Sequence, residues 1–294
     1  MITVSGKELC LWRREAIAKA IAAKVSAKEV DWLLQEVTTL DSLTLRLESF
    51  ENYPTIALTY PLPELTQLWQ QRLTNYLPVQ YLVGKTTWRN WQFHVSPAVL
   101  IPRPETELVI EIVRQLNLPQ QSVNHWVDLG TGSGAIAIAL AASFPQAIIH
   151  AVDISDDALK IARKNAKIAD NEQQINFYQG SWWNPLQHLQ GKVTGMISNP
   201  PYIPSAELPR LQPEVFHHEP HIALDGGVDG LDAIRHLATV SPQYLHSGGV
   251  WLIEMMAGQA KEVVTMLSNQ GDYYNIKAIA DLSGIDRFVL AYRK

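Results

Sequence analysis

The chain has 294 residues, 47% hydrophobic and 18% charged, with a formal net charge of −5. This suits one large or two ordinary globular domains with real cores, and an acidic balance without a basic block argues against broad attraction to a polyphosphate. The single cysteine, Cys10, excludes an internal disulfide. With no signal-peptide pattern and no apolar run of about 18 residues, the expectation is a monomeric cytoplasmic protein without a membrane span.

Residues 1–85 read as a helical domain without strand alternation. Ser26-Ala27-Lys28-Glu29 has the pattern of a capping box before Val30, Leu33 and Leu34. Asp41 to Phe50 gives a shorter helical stretch. Leu65, Leu68, Trp69 and Leu73 fall on one helical face, and Pro78 stops that helix. Several helices with apolar faces imply a small bundle, serving either to recognise a substrate or only to stabilise its neighbour.

Residues 86–102 change character. Trp88, Trp91, Phe93, Val95, Val99 and Ile101 are strand-forming types, and Ser96-Pro97-Ala98 between them predicts the turn of a β-hairpin linker. Pro102-Arg103-Pro104-Glu105-Thr106-Glu107 follows, a stiff extended loop whose acids suit a helix N-terminus. Leu100 to Arg103 either line a pocket or simply lead into that helix.

Residues 103–294 read as one further domain, in which strands and helices alternate from residue 124. Strands are predicted at 125–129, 148–154, 175–178, 195–198, 250–254, 276–280 and 288–292. Helices are predicted at 134–142, 156–169, 231–245 and 259–267, the second capped by Ser155. The alternation implies an α/β, Rossmann-like doubly wound sheet, with ligands at the carboxyl ends of its strands. After the first strand comes Asp128-Leu129-Gly130-Thr131-Gly132-Ser133-Gly134, whose glycines permit close backbone approach. Asp153, the first acid after the next strand, is placed to accept both ribose hydroxyls of an adenosine. The loop also fits a dinucleotide fingerprint. Asp128 points elsewhere, because a carboxylate repels pyrophosphate but attracts the ammonium of S-adenosylmethionine.

After the fourth strand stands Asn199-Pro200-Pro201-Tyr202. The prolines offer carbonyls and no N–H, the Asn199 amide adds an oxygen acceptor, and the Tyr202 ring can cover a flat group. Such a corner suits a planar –NH2 and not a phosphate or carboxylate; a rigid turn would also explain it. His217-His218-Glu219-Pro220-His221 looks like a metal cluster but lacks the helical spacing of one, so no metal is expected and a loop beside the substrate is the reading preferred. Glu254 ends the fifth strand, as a substrate contact or a plain polar terminus.

These motifs together resemble the bacterial release-factor glutamine methyltransferases, the PrmC/HemK family. The resemblance is carried by Gln80 to Gly84, Leu100 to Glu107, Asp128 to Gly134, Asn199 to Tyr202, Glu219-Pro220, Gly230-Leu231 and Asp286-Arg287. It implies a seven-stranded class I methyltransferase domain, S-adenosylmethionine as cofactor, and N5-methylation of the glutamine in the Gly-Gly-Gln motif of class 1 peptide chain release factors. Position by position, Gly130, Thr131, Gly132, Ser133 and Gly134 would embrace the cofactor and Asp153 its ribose. Trp182 would border the adenine, unless it is an ordinary core aromatic. Ser181 stands before it where the family often has an acid. Asn199, Pro200 and Tyr202 would be catalytic, with Asn199 also touching the cofactor, and Pro201, Leu100 and Arg103 would add substrate contacts.

An amide nitrogen is a poor nucleophile, because its lone pair is delocalised. It must be held in line with the sulfonium methyl, roughly 3–3.5 Å away. Asn199 Oδ1 and the Pro200 carbonyl are expected to accept its two hydrogens, with Tyr202 stacked on the amide plane. The alternative is a DNA adenine-N6 methyltransferase, whose target amine is also planar; it would need a basic cleft, whereas the expectation is a protein substrate and no direct nucleic acid partner.

Overall fold

Ser5 caps the first long helix: it accepts from the Glu8 amide while the Glu8 carboxylate accepts from the Ser5 amide. The capping box therefore lies here and not at Ser26–Glu29, where Ala27 occupies the cap position without a side-chain bond. Glu29 instead reaches Arg72 at 2.5 Å, a charge-assisted bond to a buried guanidinium and a stronger interaction than a cap.

A computed structural model describes residues 2–116 and 124–294. It contains two compact units, Met1–Gly84 with Gln212–His218, and Lys85–Leu211 with Glu219–Lys294. The first holds strand β1 (Ile2–Val4), helices α1 (Gly6–Ala22), α2 (Lys28–Val37) and α3 (Ser42–Arg46), strand β2 (Ile56–Leu58), and helices α4 (Leu62–Asn75) and α5 (Val79–Val83). β1 and β2 pair antiparallel, a two-stranded element too short for alternation to announce. Leu9, Leu33, Leu34, Leu45, Phe50 and Leu65 fill its core. Arg72 joins Glu29 to Glu214, and His218 reaches the Asn75 carbonyl at 2.6 Å, so Gln212–His218 belongs to this unit although both chain ends flanking it belong to the other.

The second unit opens with a hairpin of β3 (Lys85–Trp88) and β4 (Trp91–His94). Its turn is Arg89-Asn90, with Arg89 at φ +51, and Trp88 faces Trp91 across it. The turn predicted at Ser96–Ala98 is thus displaced: Val99 and Ile101 are buried but form no strand. After α6 (Leu108–Arg114) come β5 (His125–Leu129), α7 (Ala135–Ser143), β6 (Ile148–Asp153), α8 (Asp156–Ile168), β7 (Ile175–Gln179) and β8 (Val193–Ser198). α9 (Pro213–His218) is the short helix counted with the first unit. Then follow α10 (Asp232–Val240), β9 (Leu245–Glu254), α11 (Ala260–Gln270), β10 (Tyr273–Ala280) and β11 (Asp286–Arg293).

The sheet order is β10-β11-β9-β8-β5-β6-β7, parallel except for β11, which runs antiparallel to both neighbours. Alternate side chains of each strand enter opposite layers. Trp126, Ile149 and Leu252 pack with α6, α7 and α8, while Val127, Trp251 and Ile253 pack with α10 and α11. This is the Rossmann-like methyltransferase architecture. Strand order reverses between β5 and β8, where crossovers leave toward opposite sides and open a crevice. Leu129 is paired with Ser198, so Gly130 and Asn199 step out of adjacent strands at the same level.

Candidate active site

A cavity of about 440 Å³ lies at that reversal, within the size range of small-molecule sites. Gly130 and Thr131 both donate their amides to the Val152 carbonyl at 2.9 Å, stapling the glycine loop to β6. Gly130, Thr131, Gly132 and Ser133 line the cavity. Gly134 does not. It turns the chain into α7 at φ +85, where a side chain would meet Ala162 of α8.

Asp153 lines the cavity from the tip of β6. Its Oδ2 accepts the Gly132 amide at 2.8 Å and its Oδ1 the Ser155 amide at 2.9 Å. Burial raises its pKa, against the pull of those backbone donors. A carboxylate has about four acceptor sites, so some acceptor capacity remains for a ligand. Trp182, at φ +51, forms the opposite wall, its ring 3.6 Å from where a Gly130 side chain would begin. Asp128 lies behind the loop, wholly buried, accepting from Thr131 Oγ1 at 2.6 Å and the Ala137 amide at 3.1 Å. Burial pushes its carboxyl up to about 7, and its Oδ1 has no hydrogen-bond partner.

Asn199 and Pro201 line the cavity, while Pro200 is buried beside it. Asn199 Nδ2 donates to Thr106 Oγ1 at 3.3 Å. Thr106 in turn donates to Glu254 Oε2 at 2.6 Å, and the Tyr202 hydroxyl donates to Glu254 Oε1 at 3.2 Å. Tyr202 is therefore anchored by its hydroxyl and packs on the layer of α10 and α11, outside the cavity lining. Burial and the nearby Glu254 raise its pKa. Burial also raises that of Glu254, opposed by the bonds from Thr106 and Tyr202 and by the charge of Arg287.

Leu100 and Arg103 complete the wall on the hairpin side. Trp88 Nε1 holds the Arg103 carbonyl at 2.8 Å. The Arg103 guanidinium binds both oxygens of the buried Glu219, at 2.8 and 2.7 Å, so its charge is already matched. Pro220 and Ile222, just beyond Glu219, also face the cavity. The histidine cluster is divided: His218 is engaged with Asn75 and Glu219 with Arg103. Among the described residues, one group of three has metal-ligand spacing, Cys10 with Glu48 and Glu51, and Glu48 is bonded to Arg13 and Arg14.

Residues 111–227 match the family model "Methyltransferase small domain". A release factor glutamine methyltransferase from Synechocystis is 52% identical over 98% of this chain and 97% of its own length. The chain belongs to the release factor glutamine methyltransferase family. Members from Thermosynechococcus vestitus and Gloeobacter violaceus are 44% and 41% identical, over 98% and 96% of this chain and 99% and 96% of their own. Among solved structures, the hMettl16 catalytic domain bound to an RNA hairpin superposes with a TM-score of 0.56 at 13% identity, covering 88% of both chains, a likeness of fold.

As in the rest of this family, the enzyme's cofactor is S-adenosylmethionine. The cavity fits it on physical grounds. The glycine loop presents bare backbone, Asp153 keeps acceptor capacity, and Trp182 supplies a flat apolar wall. Thr106 and Ile222 are among the lining residues that escaped the sequence reading of the site. Thr106 stood inside a quoted motif but was read as part of a helix start. Ile222 follows the Glu-Pro pair in a loop whose approach to the cavity depends on the Arg103–Glu219 pair.

Proposed function

We propose that this enzyme transfers a methyl group from S-adenosylmethionine to the side-chain amide nitrogen of the glutamine in the Gly-Gly-Gln motif of class 1 peptide chain release factors, acting as a cytoplasmic monomer. The observation that carries this reading is the acceptor-only corner at the strand reversal. Asn199 turns its Nδ2 toward Thr106 and donates one hydrogen to it, leaving Oδ1 as the end available to a ligand, beside prolines that have no donor to offer. A primary amide brings two hydrogens to such a corner.

The cofactor supplies an electrophilic methyl carried on a sulfonium. Gly130 to Ser133, Asp153 and Trp182 would hold it. Asn199 Oδ1 and the Pro200 carbonyl accept the substrate hydrogens and aim the amide nitrogen. Positive charge grows on that nitrogen during transfer, and fixed acceptor dipoles in a partly dry cavity stabilise it without reorganising. Tyr202 braces this corner from behind, through its hydroxyl on Glu254, and the stacking role expected of its ring has no support in a cavity lining that leaves it out. The DNA adenine reading is not favoured: the curated relatives are named for release factors, and the chain is acidic overall.

Mass spectrometry of a purified release factor after incubation with this protein and S-adenosylmethionine tests the proposal. One added methyl on the Gly-Gly-Gln glutamine is expected. An unmodified release factor beside a methylated adenine-containing DNA would refute it.

A further inference from the structure

Glu254 is 1% exposed and lies at the end of β9, far along the chain from Thr106 and Tyr202, yet it collects hydrogen bonds from both. In its ionised form, which the bonds from Thr106 and Tyr202 and the charge of Arg287 favour, Glu254 has no hydrogen to give. Both hydroxyls must therefore donate to it, and each has only one hydrogen. Once the Thr106 hydrogen is committed to Glu254, only lone pairs remain on Thr106 Oγ1. Whatever meets that oxygen next must be a donor. Asn199 meets it at 3.3 Å, and of the two ends of a carboxamide only the nitrogen donates.

We propose that Thr106 and Glu254 are positioning residues which fix the orientation of the Asn199 amide, turning Nδ2 inward and Oδ1 to the cavity. They act through Asn199: Thr106 stands in the cavity wall beside it and Glu254 lies behind that wall. The two ends of an asparagine amide have nearly the same shape, so packing alone chooses poorly between them; a buried polar chain of fixed direction chooses firmly. A reversed amide would present two hydrogens to a substrate –NH2, donor against donor, and the acceptor corner would vanish. Thr106 itself is 4% exposed, which keeps water from substituting for either partner.

The inference rests on the proposed role of Asn199, and two measurements on the full chain separate the two. The first is steady-state methylation of a release factor with calorimetric binding of S-adenosylmethionine. Thr106→Val keeps the shape and loses the hydroxyl. It should lower kcat at least 30-fold while the cofactor Kd stays within threefold, and Thr106→Ser should recover most of the rate. A Thr106→Val enzyme within threefold of the parent in kcat, or a Thr106→Ser enzyme as impaired as the valine variant, would overturn the proposal.

The second measurement is made on the parent protein and needs no activity. In the parent labelled with 15N-asparagine, the Asn199 side-chain signal is identified by its loss in Asn199→Ala. Its Nδ2 hydrogens should exchange with water at least tenfold more slowly than those of the exposed Asn75. Exchange at the exposed rate would overturn the inward orientation, even if release factor is methylated. Slow exchange in a protein that leaves release factor unmodified would uphold the relay and discard the substrate.

Discussion

The Gly132 amide donates to Asp153 across the tips of β5 and β6 at 2.8 Å, so the residue expected to hold a ribose also holds the loop expected to hold the rest of the cofactor. Asp153 accepts Gly132 on one oxygen and Ser155 on the other. Asparagine has one acceptor oxygen, and its –NH2 would face one of those two donors. Asp153→Asn should therefore weaken S-adenosylmethionine binding by about 10- to 100-fold, the equivalent of roughly 1–3 kcal/mol for a charged hydrogen bond. Calorimetric titration reads this directly. An affinity within twofold of the parent would mean that Asp153 serves only the loop.

Two glycines separate the cost of backbone conformation from the cost of crowding. Gly258 sits at φ +94 with open space where a side chain would project, whereas Gly134, at φ +85, would place a Cβ 3.1 Å from that of Ala162. Gly258→Ala should lose about 1 kcal/mol from the left-handed conformation alone. Gly134→Ala should lose at least about 1 kcal/mol more, because α7 and α8 must shift to admit a methyl. Denaturant midpoints of the two variants give the comparison, and equal losses would show that the two helices yield freely.

The site was legible where its chemistry is local in sequence. Glycines before a helix, an acid at the next strand tip and a donor-free turn each occupy a few consecutive residues, and Gly130–Ser133, Asp153, Trp182 and Asn199 do share one cavity. The seven strands were legible too, the central ones because buried strands leave apolar runs and the outer β7 and β10 by their aromatic and β-branched residues. What escaped depends on long-range pairing. Thr106 meets Glu254, and Arg103 meets Glu219, only after the sheet is assembled. The hairpin turn was misplaced because proline at Ser96–Ala98 outweighed Arg89-Asn90, whose left-handed start the Glu107 carboxylate supports by accepting the Arg89 amide at 3.0 Å. Likewise, Gln212–His218 joins the helical unit through Glu214 and His218, whose partners Arg72 and Asn75 lie far back in the chain.

Asn199 and Tyr202 should fail in different ways. Asn199→Ala removes the proposed acceptor and should abolish measurable transfer, with S-adenosylmethionine binding weakened less than about 10-fold, as expected for an interaction used mainly in the transition state. Tyr202→Phe keeps the ring and removes one of the two hydroxyls that donate to buried Glu254. It should cost about 1–3 kcal/mol of stability from the carboxylate left short of a donor, with kcat lowered less than in Asn199→Ala. Thermal unfolding and single-turnover rates on the same preparations distinguish the two. A Tyr202→Phe protein as stable as the parent would show that Glu254 does not depend on the phenol.

Asp128 makes the stability of the cofactor-free protein depend on pH. Its carboxyl is pushed up to about 7 by complete burial, from an ordinary value near 3.8, so the fold prefers the protonated form. A raised acid favours folding fully below its unfolded pKa and loses that contribution as pH climbs through the folded value. The loss runs from about pH 4 to about pH 7 and continues until the folded group is ionised. Across the whole window it amounts to about 4 kcal/mol, taking 1.4 kcal/mol per unit. In an Asp128→Asn variant the new amide oxygen can still accept from Thr131 and Ala137, and the amide nitrogen takes the place of the unpartnered Oδ1. The variant should lose less stability than the parent between pH 5 and pH 8. Subtracting the two denaturation curves at each pH isolates Asp128 from Asp153 and Glu254, which shift in the same direction. Parallel curves would mean that Asp128 is ionised at every pH tested and that its charge is already balanced in the fold.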